Sequence, residues 1–163
     1  MDPVTVSIVI DAPREQIFDY LQDLANHAEF TDHYLVDWHL TRADSVGAGA
    51  GARFRVKAPG RFSWGDVTFA EVARPHRIVE VGRTGKCNRV RTLGVYELAQ
   101  GTAATTRVRF TLETEPATLA DRILEGLGAR GWCRRKNARA MRRLRSIIER
   151  GEGRGRRVTV AGG

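Results

Sequence analysis

Arg130 and Arg134 stand one helical turn apart in a run whose apolar residues recur at helical spacing. With successive residues set about 100° apart, Leu119, Ile123, Leu127, Ala138, Met141, Leu144 and Ile148 form one stripe, and both guanidiniums fall inside it. An unpaired guanidinium on a buried face is costly, so each needs a carboxylate, a ligand anion or water. Either the pair holds the acid or enolate end of a ligand, or the two side chains snorkel to the rim or pair with Glu71 or Glu80. Those two glutamates interrupt inward-looking alternations in strand-like text, so each reads as a raised-pKa acid or base or as the partner of an arginine. Tyr96 carries a hydroxyl that wants a partner when buried. Trp38, Phe54, Trp64, Phe69, Phe110 and Trp132, with Leu127 on the helix, are the pool from which a cavity lining or a plain core is drawn.

Other chemistry finds less support. His27, His33, His39 and His76 show no metal-ligand spacing, and Cys87 and Cys133 lie far apart without a CxxC, so the reading is no metal, no cofactor and two free thiols. Asp32-His33 has no nucleophile elbow to make it part of a triad. Gly47 to Gly51 precedes a strand, whereas a phosphate-binding turn must precede a helix, so this is a hairpin loop.

The elements that must position these groups follow from periodicity. Val4, Val6, Ile8 and Ile10 alternate with polar residues as a half-buried strand. Asp11 and Pro13 then suit a helix start, with Ile17, Phe18 and Leu21 at helical spacing and a second short helix from Leu24 to Phe30. Six strands follow without intervening helices: around Val36–Leu40, Ala52–Val56, Val67–Glu71, Ile78–Val81, Val90–Leu98 and Thr105–Glu115. Turn signals such as Pro59-Gly60, Pro75-His76 and Gln100-Gly101 separate them, which describes an antiparallel meander. Leu119 to about Arg150 reads as one long helix. Gly126, Gly128 and Gly131 within it signal a break, a bend or a swinging lid, or else close packing on the sheet. Seven strands with one apolar face need a cover, and only the last helix is long enough to give it. The expectation is an α+β fold: a curved seven-stranded antiparallel sheet, two short helices, and a long C-terminal helix over a cavity. Residues 1–150 form one domain, and residues 151–163 a disordered basic tail.

The net charge of +8 is not spread evenly. From Cys133 onward 11 Lys and Arg oppose only Glu149 and Glu152, while the preceding 132 residues carry 16 basic and 17 acidic groups. The basic end lacks interleaved aromatics, so nucleic acid is disfavoured as a partner. Contact with an acidic membrane surface or acidic partner stays open. No run of about eighteen apolar residues is present, and Asp2 stands where a signal peptide would carry basic charge, so a cytoplasmic protein is expected.

The stretch from Val9 through Phe30, Gly51 to Phe54, Glu71-Val72-Ala73-Arg74-Pro75-His76-Arg77-Ile78, and the Gly101-Thr102 turn before the last strand resemble the polyketide cyclase/dehydrase and lipid-transport superfamily, also called SRPBCC, START-like or Bet v 1-like. The resemblance covers about residues 4–150. It implies a helix-grip fold that binds, or transports, a small hydrophobic or amphipathic metabolite. The alternatives are a cyclase/dehydrase-type enzyme, in which an arginine stabilises an enolate while Tyr96 or Glu71 moves a proton, and an interaction protein using its basic C-terminal helix. Neither a catalytic residue nor the choice between monomer and homodimer can be read from the sequence.

Overall fold

Alternation writes the first element. The computed structural model describes residues 2–58, 61–102, 104–153 and 158–160, and in β1 (Val4–Ile10) Val4, Val6 and Ile10 are buried while Thr5 and Ser7 are exposed. The Pro59-Gly60 turn and Arg154, Arg156 and Arg157 lie outside the described residues. Pro13 precedes α1 (Arg14–Leu21), which buries Ile17, Phe18 and Leu21. Asp11 does not cap this helix. Its backbone N–H instead donates to Glu149 Oε1 at 2.8 Å, tying the end of β1 to the end of the last helix. A 3₁₀ turn at Leu24–Asn26, capped by the Asp23 carboxylate on the Ala25 N–H, leads into α2 (His27–Thr31).

The meander is β2 (Leu35–Leu40), β3 (Gly51–Ala58), β4 (Arg61–Ala73), β5 (Arg77–Thr84), β6 (Val90–Gln100) and β7 (Thr106–Glu115). Each strand pairs antiparallel with the next, and β1 closes onto β7. The sheet has eight strands rather than seven. Val158–Val160 in the tail forms β8, which lies parallel on β2, with His39 Nδ1 and Thr159 Oγ1 2.6 Å apart. Three β-prone residues covering an otherwise unpaired edge explain why a segment with no apolar face still finds a place.

Register assigns the faces. Ile78, Tyr96, Phe110 and Val6 align across β5, β6, β7 and β1, and the adjoining row on the same face is Glu80, Gly94, Leu112 and Val4. This inner face meets the helices.

The expected single helix from Leu119 to Arg150 is interrupted. It runs as α3 (Leu119–Leu124), a π-helical turn over Glu125–Ala129, and α4 (Arg130–Arg150). Gly128 sits in that turn at φ +96°, a conformation costly to a residue with a Cβ, so the glycine-rich text does mark a break. Only the C-terminal part of the apolar stripe is used: Met141 and Leu144 are buried together with Asn137 and Ala140. Leu119 and Ile123 on α3 are 75% and 64% exposed. The cover therefore grips the sheet along α4 and stands off it along α3. Leu144→Ala should cost about 2–5 kcal/mol in urea unfolding, whereas Leu119→Ala should stay within about 0.5 kcal/mol. Equal costs would mean that α3 is packed as firmly as α4.

Candidate functional site

Aromatic rings floor the inner face. Trp38 and Phe54 lie 4.7 Å apart between ring centres, and Tyr96 and Phe110 4.5 Å apart. Phe69, 1% exposed, meets the edge of His27 at 5.5 Å, and the same imidazole stands 5.7 Å from Tyr96. His27 Nε2 is 2.8 Å from the Leu21 carbonyl, where it acts as the donor. Burial among these rings holds its pKa down, from 6.5 to about 4, against the opposing pull of that hydrogen bond and of Asp23.

Glu80 is the odd group on this face. It projects over β6 at Gly94, where any side chain would run into its carboxyl, so the absence of a Cβ is what lets the acid lie there. Among the described residues it has no hydrogen bond or ion pair. Desolvation alone raises its pKa from 4.5 to about 7. Its charge in turn adds to burial in raising the pKa values of Tyr34 and Tyr96. The Tyr96 hydroxyl likewise makes no hydrogen bond among the described residues, although the residue is only 3% exposed.

Two further residues complete the cluster, and sequence reasoning missed both. The Tyr34 hydroxyl donates to Asn137 Oδ1 at 2.8 Å, and its ring meets the Trp132 ring edge-on at 5.9 Å. Asn137 is 2% exposed, and its Nδ2 has no partner among the described residues. A signal for Asn137 existed: it stands four residues before Met141 and seven before Leu144, inside the apolar stripe.

Other expected site residues lie elsewhere. A β-bulge between Phe69 and Glu71 turns Glu71 to the outer face, where Arg77 stands at 3.6 Å. Trp64 falls on the outer face as well, 46% exposed. Arg130 is exposed at the start of α4, 3.5 Å from Asp2, because the helix has not yet reached the sheet there. Arg134 is exposed too, one turn further along α4 and before its first buried residue, Asn137. Neither arginine reaches Glu80 or Tyr96. The side chain of Leu127 lies outside the described ones. A depression of about 670 Å³ is open on the outer face, with Thr68, Val81, Arg83, Leu93 and Glu113 in its lining. A smaller one of about 270 Å³ lies by the end of α4, between Glu29, Arg143 and Glu152. Neither is the expected hollow between sheet and helix.

The two perturbed groups load stability in opposite directions. Glu80 has a folded pKa above its unfolded one, so its favourable contribution is full below about pH 4.5 and is lost as pH rises through about 7. His27 has a folded pKa below its unfolded one, so stability is lost as pH falls from 6.5 toward about 4. Glu80→Gln should therefore gain on the wild type between these Glu80 values and keep an advantage on the order of 1–2 kcal/mol above pH ~7, allowing for solvent screening. Urea unfolding across the pH range reads this out. A gain that appears only in acid would contradict the assignment.

Comparison with known proteins agrees with this fold. The structure resembles TTHA0849 from Thermus thermophilus with a TM-score of 0.71 at 15% identity, covering 92% of this chain and 99% of that one. It resembles the KanY protein with a TM-score of 0.72 at 13% identity, covering 90% and 97% of the two chains. A START superfamily protein from Mycobacterium smegmatis gives 0.67 at 11% identity, covering 90% and 97%. Such low identities establish the fold alone. No curated protein sequence matches the chain. The family model described as polyketide cyclase / dehydrase and lipid transport matches residues 1–149, and the chain belongs to that family.

Proposed function

We propose that this protein binds a small hydrophobic molecule against the inner face of its sheet, with Glu80, Tyr96 and the Tyr34–Asn137 pair reading a polar end. The observation that carries this reading is the convergence of unspent polar groups on an aromatic floor. The Glu80 carboxyl, the Tyr96 hydroxyl and Asn137 Nδ2 each lack a partner among the described residues. Of these, Asn137 Nδ2 is shielded from solvent, and such an atom left unpaired costs about 1–3 kcal/mol, a cost that a ligand bearing a matching acceptor would remove. The family supplies the context of lipid and polyketide chemistry. Leu119 and Ile123 on α3 are exposed, so movement of this segment would unpack neither of them from the core.

The same groups define the ligand class. With Arg130 and Arg134 outside, an acid or enolate end would face an unpaired carboxyl rather than a cation. An uncharged carbonyl or hydroxyl suits a protonated Glu80, a phenol and an amide. Nile red, a neutral hydrophobic dye, should therefore bind saturably, and palmityl alcohol should displace it better than palmitate does. Tyr96→Phe and Asn137→Leu should each weaken binding about fivefold, the worth of one buried hydrogen bond. Unchanged affinity in both variants would refute the reading.

A cyclase/dehydrase-type reaction is the second reading, favoured by a carboxyl whose pKa lies near 7 beside an unbonded phenol. In this version Glu80 carries the proton and the Tyr96 hydroxyl donates to a carbonyl. The enolate clamp of two arginines has no support here. Glu80→Gln separates the two: binding should survive in either case, and turnover of a bound polyketide-like ketone should vanish only if Glu80 moves the proton.

A further inference from the structure

One end of the molecule combines exposed apolar side chains with unpaired cations. Lys57 pairs with Phe62, Thr84 with Val90, and Arg91 with Glu115, so the β3–β4 hairpin, the β5–β6 connection and the start of α3 lie at the same end of the sheet. On the outer face of the hairpin Phe62 and Trp64 are 54% and 46% exposed. Four residues after β7, α3 begins with Leu119 and continues through Ile123, the two most exposed large apolar residues described. No described helix is long and apolar enough to cross a membrane.

The cations on the hairpin are arranged around its rings. The Arg55 guanidinium lies 4.5 Å from the centre of Phe62 and 6.0 Å from that of Trp64, and Arg53 lies 5.5 Å from Trp64. Arg55 has Asp37 at 3.0 Å, but Arg53 and Lys57 have no acidic partner among the described residues. Guanidiniums already lie against the rings, which leaves less open ring surface for stacking nucleobases. Their N–H edges remain free to meet phosphate. Trp and Phe at the level of headgroups, flanked by Arg and Lys, is the composition that water–bilayer interfaces select.

We propose that this end of the molecule, formed by the β3–β4 hairpin and α3, docks on an anionic lipid bilayer, with Phe62, Trp64, Leu119 and Ile123 entering the interface and Arg53, Arg55 and Lys57 meeting lipid phosphates. The surface stands independently of what the interior binds. It also differs from the basic C-terminal region that the charge distribution of the sequence favoured. The end of α4 lies at the opposite end of the sheet, where Asp11 bonds Glu149 and Ile10 pairs with Thr106.

Vesicle flotation with the full chain tests this, using phosphatidylcholine alone and phosphatidylcholine with about 30% phosphatidylserine. The protein should float with the mixed vesicles and not with the neutral ones, and added salt should weaken the binding. The pair Phe62→Ala and Trp64→Ala should reduce binding on the order of tenfold, as should the pair Arg53→Glu and Lys57→Glu. Near-ultraviolet circular dichroism checks that each variant is folded, and the charge-reversal pair keeps the test open if the aromatic pair is not. The pair Arg145→Ala and Arg150→Ala, at the far end, should leave flotation unchanged. Failure to float with the mixed vesicles overturns the proposal, as does loss of binding only in the far-end pair. So does tighter binding to a single-stranded oligonucleotide or a polyglutamate peptide that is indifferent to the aromatic substitutions, since the surface would then be a general polyanion site.

Discussion

A sheet with one apolar face has to be covered, and in this chain one helix supplies the cover along only part of its length. The grip is made by Asn137, Ala140, Met141 and Leu144 against β1 and α2. It is locked at its end by the Asp11–Glu149 hydrogen bond and along its side by the contact between Arg143 and Asp32. Full burial of a side chain such as Leu144 is worth about 1.5–3 kcal/mol, so these few residues hold α4 to the sheet. The π-helical turn with Gly128 at positive φ ends that arrangement. Beyond it, Leu119 and Ile123 on α3 are exposed to solvent. The position of this break decides which inner-face residues lie under the grip and which lie under the standing-off segment.

The interior polar groups take their character from the same burial. Loss of solvent lowers the pKa of His27 and raises that of Glu80, and in each case it favours the neutral form. Near pH 7 the inner face thus holds a neutral imidazole, a carboxyl at the middle of its titration, and two phenols far from ionising. Charge is relegated to the outside, where Arg77 meets Glu71 and Arg130 meets Asp2.

The order of elements was legible because alternation and turn residues repeat without contradiction from Val4 to Glu115. Side-chain direction was less so, and each departure has a local cause. A bulge reverses Glu71, Arg130 and Arg134 stand in the first turns of α4 before its buried residues begin, and an edge strand recruits Val158–Val160. Of the expected lining, Trp38, Phe54, Phe69, Glu80, Tyr96 and Phe110 share one face of the sheet, while Trp64 stands on the other. Tyr34 follows a five-residue helix, too short for periodicity to give its direction. Asn137 was overshadowed by more conspicuous cations one turn away, although its place in the stripe marked it as a buried amide.

Whether such an interior is built for binding or for chemistry turns on what Glu80 lacks. A buried carboxylate kept only for stability would be expected to meet an arginine or backbone N–H groups, and either would lower its pKa. Glu80 has neither among the described residues, and the empty space above Gly94 lets it lie flat on the sheet rather than swing toward a partner. Isosteric removal of its charge should therefore stabilise the fold above neutrality. Such a gain would mark a group whose presence costs stability, in keeping with the proposed contact to a bound molecule. Binding requires only that Glu80 donate or accept a hydrogen bond, and glutamine can do both. Proton transfer requires a group that changes charge, and glutamine cannot do that.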